Sequence, residues 1–372
     1  MPSSTSSSER AWRRFWRTLL ATAGGAAALA WLFIMGVDPY GNLPLSLPWF
    51  DRGPVDGNAR YAFPALARDP RFDSALFGTS TSRLLRPAAL NPVFGARFAN
   101  LSMNSATSYE QARLLALFLR HHPRPRVIAI GLDREWCVTP PVDARYTFRR
   151  FPEWLYDESW PGRWGDYQHM FDMYTLEKAG QAFAQWTGLA PRVYGRDGYT
   201  RFVPPDAQYD RARAAVRLRE ALPWDMPKDD AAAPASWALP GVDRLRAALA
   251  AVPERTLKLL FFVPYNHRLI AQAPGPALAL QTECKRRVAA LGRSLPNLAV
   301  VDFMIPGPIT LDDDNYWDPH HYRNGIAERI VADLAGALRG EATPDAAILV
   351  LPRSEDPALP RHGPDGGNAS SP

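Results

Sequence analysis

One run constrains the fold more than any other. Between Arg126 and Asp133 stands Val-Ile-Ala-Ile-Gly-Leu, apolar throughout and without polar alternation. A strand of that kind is buried on both faces, which asks for helices on either side of a parallel sheet. Comparable runs occupy Asp73–Gly78, Leu257–Val263 and Leu298–Phe303, with a shorter one at Ala96–Ser102. Helix-like segments fall between and after them: Ser82–Leu90, Tyr109–His121, Val242–Ala251, Pro276–Leu295 and Asn324–Leu338. In the second of these, Ala112, Leu115 and Leu119 share one face. The alternation predicts an α/β domain with a doubly wound, mostly parallel sheet over residues 71–340. Residues 134–240 break the pattern and are too long for a plain loop. They read as an insertion at the carboxyl edge of the sheet, with helices at Asp172–Thr187 and Asp210–Leu222, placed as a lid or substrate platform. Its aromatics, among them Trp136, Trp154, Trp160, Trp164, Trp186, Trp224 and Trp237, either stack on sugar rings or form the insertion's own core.

The N-terminus is of another kind. A Ser-rich stretch, residues 1–9, is expected to be disordered; Arg10-Ala-Trp-Arg-Arg-Phe-Trp-Arg17 follows, then an uncharged run from Thr18 to Val37. About twenty helical residues cover the roughly 30 Å of a bilayer core. Basic residues before the run and Asp38 after it predict a single-pass anchor, residues 18–37, with the N-terminus cytoplasmic and the rest outside. A cleaved signal peptide is the rival reading, with Ala28-Leu-Ala30 as its small-residue site. Trp31-Leu-Phe-Ile-Met35 continues the apolar run past that site and favours a retained anchor. A buried soluble helix fits the Arg/Trp flank least. Residues 38–70, rich in Pro, Gly and Asp, read as a linker, and residues 341–372 as a disordered tail in which Ala346–Leu351 could add an edge strand. Part of the formal net charge of +5 is the N-terminal arginines. No basic stripe with interleaved aromatics is present, so nucleic acid is not an expected partner. Arg211, Arg213, Arg217 and Arg219 read as a solvated helix face. Cys137 and Cys284 have no zinc spacing; they can pair if the body is exported and their Cα atoms approach.

Chemistry concentrates in two stretches. Phe72-Asp-Ser-Ala-Leu-Phe-Gly-Thr-Ser-Thr-Ser-Arg83 reads as strand, glycine, serine, helix, a layout that lifts a hydroxyl to the carboxyl edge of the sheet, where ligands bind. By itself the stretch reads first as a turn in which Thr79, Ser80 or Ser82 caps a helix, the common role of such residues. Asp318-Pro-His-His321 stands before the last helix. An Asp three residues before a His can orient the imidazole while the ring takes a proton from a distant serine. The spacing selects His321 over His320. Asn266 and His267 follow a strand end and read as pocket lining or a surface turn, Asp312-Asp-Asp314 as solvated carboxylates, and His121-His122 as a helix end. No metal site is predicted.

Gly78-Thr-Ser80 and Asp318-x-x-His321 resemble the first and last motif blocks of the SGNH/GDSL hydrolase superfamily, and the strand and helix order between them agrees. More closely, the chain resembles membrane-anchored, exported bacterial SGNH-like proteins of the O-acyltransferase/esterase type, whose terminal block here reads Asn315-Tyr-Trp-Asp-Pro-His-His-Tyr322. The resemblance covers about residues 70–340, interrupted by the insertion. It implies an SGNH-like, flavodoxin-like fold, with Ser80 as nucleophile, His321 as base and Asp318 as its orienting carboxylate. It also implies a bacterial inner-membrane protein with a periplasmic domain, an acyl-ester substrate on a cell-surface or secreted glycan, acetyl above all, and no cofactor. A multipass membrane acyltransferase is the implied partner. The superfamily places an oxyanion-hole glycine after its second strand and an asparagine after its third; here those stretches read Ser102-Met-Asn-Ser105 and Gly131-Leu-Asp-Arg134. Asn104 is the candidate substitute donor, and Asp133 stands where the asparagine is expected. An ionised carboxylate cannot donate, and losing one such donor costs about 2.7–4 kcal/mol in the barrier. Asp133 is then protonated, or turned away, or the chemistry differs. The alternative is a catalytically inactive relative that binds glycan or assists assembly of a polysaccharide-modifying complex.

Overall fold

The protein is described by a computed structural model over residues 5–43, 54, 58–138, 150–158, 162–192, 194–220 and 234–353. Trp160, Trp224, the side chain of Trp164, most of the expected linker before Asn58 and the tail beyond Arg353 lie outside the described residues. Strands β1 (Ser74–Phe77), β2 (Phe98–Asn100), β3 (Val127–Leu132), β4 (Leu257–Phe262), β5 (Leu298–Asp302) and β6 (Ala347–Val350) form one sheet in the order 2-1-3-4-5-6. The first five are parallel and β6 closes the edge antiparallel to β5. β1, β3, β4 and β5 are buried along their whole length, as runs without alternation require.

The helices in chain order are α1 (Thr5–Val37), α2 (Ala59–Ala67), α3 (Pro87–Phe94), α4 (Ser108–His121), α5 (Glu153–Tyr156), α6 (Gly162–His169), α7 (Met173–Trp186), α8 (Arg211–Arg219), α9 (Pro240–Ala250), α10 (Pro276–Ala290), α11 (Pro308–Leu311) and α12 (Asn324–Leu338). Right-handed crossovers decide which face each covers. The path from β1 to β2 runs one way along the sheet and the path from β2 to β3 runs back, so α3 and α4 fall on opposite faces. In agreement, α12 packs on α3 and α9 packs on α4. That reversal opens a crevice at the carboxyl ends of β1 and β3, the usual ligand position in such sheets.

α1 is one unbroken helix from Thr5, so the Ser-rich start expected to be disordered is helical where it is described. It is long and apolar enough to cross a membrane or to act as a signal. Its last turn packs on the body, where Ile34 and Val37 are buried. The chain beyond does not hang free, as a linker would. Asp38, Tyr40, Asn42 and Leu43 are buried, and so is nearly all of α2. Proline and glycine concealed an apolar content that the core absorbs. The described tryptophans of the insertion also go inward: Trp136 and Trp237 are buried and Trp154 and Trp186 pack against the core. Cys137 and Cys284 form a disulfide that ties the end of β3 to α10.

Candidate active site

Ser80 sits two residues past a glycine that nothing else can replace. Gly78 has φ +150°, and a Cβ there would lie 2.3 Å from Ser82 Oγ. Gly131 on β3 flanks the same hydroxyl, with an added Cβ 1.8 Å from it. Ser82, expected only to start a helix, is thus wedged between two glycines as the fully buried first residue of the 3-10 turn Ser82–Leu84. The wedge fixes the turn that presents Ser80.

The terminal block reaches Ser80 across more than two hundred residues. His321 Nε2 lies 2.8 Å from Ser80 Oγ, and its Nδ1 lies 2.7 and 2.9 Å from the Asp318 oxygens. The backbone N–H groups of His320 and His321 also donate to Asp318 Oδ1, at 2.9 and 3.1 Å. Burial raises the Asp318 pKa, but the hydrogen bond and charge of His321 outweigh it and hold the carboxyl below its ordinary value. Asn315, Tyr316 and Tyr322 of the block each have a structural task. Asn315 Nδ2 donates to the Pro308 and Ile309 carbonyls, Tyr316 donates to Pro264 O, and Tyr322 donates to Thr81 O at 2.7 Å. The last bond ties the two motif stretches directly together. His320 faces Tyr265 edge-on, and burial followed by the adjacent His321 charge pushes its pKa down to about 4. It is neutral at physiological pH and bonds neither Ser80 nor Asp318 through its ring.

Asp133 lines the same cleft and is buried. Desolvation first, and the neighbouring Glu135 second, raise its pKa from 3.8 to about 7; the Thr79 hydroxyl pulls the other way. The shift brings its protonated form, which can donate, within reach of neutral pH. Asn104 lies beside the cleft rather than in its lining. Arg83 Nη1 donates to its Oδ1 at 2.7 Å, which identifies that atom as oxygen because a guanidinium only donates. Nδ2 is left without an acceptor among the described residues. The loop carrying Asn104 is bolted by a buried ion pair. Arg60 Nη2 meets Glu110 Oε2 at 2.8 Å, and the same guanidinium donates to Asn104 O and Ser105 O. Asn266 lines neither pocket nor surface turn. It is fully buried, donates through Nδ2 to Asp313 and through its backbone to Pro319 O, and so braces the loop that carries Asp318.

The cleft holds about 630 Å³ and is lined by Ser80, Thr81, Ser105, Asp133, His321 and the charged Arg134, Glu135, Arg217 and Glu220, among others. Arg217 and Glu220 come from α8 and its end, so part of the insertion does overhang the carboxyl edge. The arginine face of α8 is solvent-exposed as expected, at Arg211, Arg213, Arg217 and Arg219 alike; Arg211 also pairs with Asp314, and Arg217 also lines the cleft. None of the described tryptophans lines the cleft. Phe202 packs edge-on to His321 at 5.3 Å, and the Arg83 guanidinium lies over Phe202 and Tyr194. Nothing in the spacing of these residues signals the contact. The backbone N–H groups of Ser80 and Thr81 donate to no acceptor among the described residues. No cluster of His, Cys, Asp or Glu among the described residues is arranged for a metal; Asp313 is paired with Arg268 and approached by His267. No protein-family model matches the chain, and no curated protein matches it with significance.

Proposed function

We propose that the chain is an exported, membrane-anchored SGNH-like serine esterase or O-acyltransferase acting on acyl esters of a glycan. The observation that carries this reading is the continuous Ser80–His321–Asp318 contact, with nucleophile, base and orienting carboxylate each within hydrogen-bond reach of the next. As Ser80 Oγ attacks the acyl carbonyl, His321 Nε2 takes its proton, and Asp318 holds the imidazolium through Nδ1. Collapse of the tetrahedral adduct expels the sugar oxygen, which leaves with that proton and yields an acyl-Ser80. Water or an acceptor hydroxyl, deprotonated by His321, then releases the acyl group.

The unbonded N–H groups of Ser80 and Thr81 stand on the nucleophile's own turn and suit an oxyanion; Asn104 Nδ2 and protonated Asp133 are further donors near it. A cleft lined by charged side chains suits a hydroxyl-rich substrate over a lipid chain. Export accords with the Cys137–Cys284 bridge, because disulfides persist in oxidising compartments, and with the basic flank before α1. The test is hydrolysis of 4-nitrophenyl acetate by the detergent-solubilised full chain. Turnover that disappears in Ser80→Ala is the expected result. Turnover unchanged in that variant overturns the nucleophile. No turnover, together with glycan binding that survives the substitution, supports the non-catalytic alternative.

A further inference from the structure

The apolar helix is too short for its task once its contacts with the body are subtracted. From Thr18 to Phe33 α1 carries no charge and is exposed except for the half-buried Ala30; at Ile34, 1% exposed, it enters the body. Sixteen residues at 1.5 Å each give roughly 24 Å, against a bilayer core of about 30 Å. A rigidly docked body cannot then stand clear of the headgroups, and Asp38–Leu43, buried in the domain, supply no slack.

The surface that would enter the lipid is the one beside α1. α7 runs antiparallel to it: Phe33 meets Phe183 at 5.9 Å, while Tyr40 meets Thr175 nearer the helix start. The exposed stripe of α7 is apolar but for one carboxylate along that descent. It shows Met173, Glu177, Gly180, Phe183 and, past the helix end, Leu189, with Met173 78%, Phe183 46% and Leu189 79% exposed. The end of the stripe that lies beside the exposed span of α1 is apolar. On the other flank of α1, Ala27, Ala28 and Trp31 form an apolar groove of about 720 Å³ with Tyr167, Gln168 and Phe171.

We propose that the carboxyl-terminal end of α7 and this groove lie below the headgroups of the outer leaflet, and that phospholipid acyl chains occupy them. The inference rests on α1 being a retained membrane anchor. Lipid is favoured over a protein occupant because the surface is continuous with the anchor itself and is apolar where it flanks the anchor's exposed span. The domain is then seated in the bilayer surface at a fixed height, which fixes the distance of the Ser80 cleft from the membrane.

The experiment places one nitroxide label at a time on the full chain, with the native disulfide intact, in vesicles of phosphatidylethanolamine and phosphatidylglycerol. Labels at Phe183→Cys and Leu189→Cys are compared with Ala23→Cys in the anchor and with Ala251→Cys on the exposed end of α9. Collision with oxygen reports lipid, and collision with a water-soluble nickel chelate reports solvent. The expected result is a several-fold preference for oxygen at 23, 183 and 189 and for nickel at 251. Lipid exposure at 23 with solvent exposure at 183 and 189 overturns the proposal while leaving the anchor intact. Solvent exposure at 23 removes the anchor and the proposal with it. Labels at 183 and 189 shielded from both reagents mean that a second copy of the chain covers the face, which also overturns it.

Discussion

His321 is held from both sides, by Asp318 at Nδ1 and by Ser80 at Nε2, and that arrangement sets the predictions at the scale of single residues. In Asp318→Asn the partner of Nδ1 no longer fixes the productive tautomer, and ester turnover should fall by about three to four orders of magnitude with the fold retained. Asp133 makes a different prediction. Its pKa is raised from 3.8 to about 7 by burial, so the folded state holds a proton that the unfolded state releases. Its contribution is fully present below the unfolded value and is lost as pH rises through the folded one. Wild type should therefore lose stability relative to Asp133→Asn between pH 3.8 and about 7, and the difference should level off above that, as read by denaturant titration at stepped pH. A difference that keeps growing well above that range would contradict the assignment. The triad was legible because each half is local: a glycine and serine past a strand, and an Asp three residues from a His. Arg83 on Asn104 and Phe202 on His321 were not legible, since no periodicity or spacing links residues that meet only through the fold.

Among the elements, β3 carries two constraints that the sequence shows only as an apolar run. Gly131 leaves room for Ser82, and a Cβ there would also come within 3.2 Å of Phe261. Gly131→Ala should cost roughly 1–3 kcal/mol by overpacking and depress turnover by displacing the turn that holds Ser80. Adding Ser82→Gly should recover part of the stability. No recovery would mean the clash lies elsewhere. The disulfide staples the loop after β3 to α10, and Cys284→Ala with Cys137→Ala should lower stability by about 2–4 kcal/mol in thermal unfolding. Turnover measured well below the transition should survive, because neither cysteine lines the cleft. The parallel strands were readable from unalternating apolar runs and β6 from its apolar tail segment. In the insertion the two helices expected at Asp172–Thr187 and Asp210–Leu222 appear as α7 and α8, but its contacts with α1 and the terminal block were not readable, because they follow from the fold rather than from local pattern.

The whole molecule joins an apolar helix, a body packed on its end and, at the carboxyl edge of the sheet, the proposed nucleophile Ser80. The full chain should sediment with membranes and resist extraction by alkaline carbonate, and a chain lacking residues before Trp31 should lose that resistance. Release of the full chain by carbonate would contradict a retained anchor. The reading of the segment after Val37 as a linker shows where sequence misleads at this scale: proline and glycine marked irregular backbone, but burial of Tyr40, Leu43 and Phe63 makes it part of the body. The central claim, that Ser80 is an activated nucleophile, is tested most directly by labelling the folded full chain with a fluorophosphonate and locating the adduct by peptide mass spectrometry. One adduct on Ser80, absent in Ser80→Ala and formed far more slowly in His321→Ala, is the predicted result. An adduct that persists in Ser80→Ala, or a Ser80 that stays unmodified in the folded protein, would contradict it.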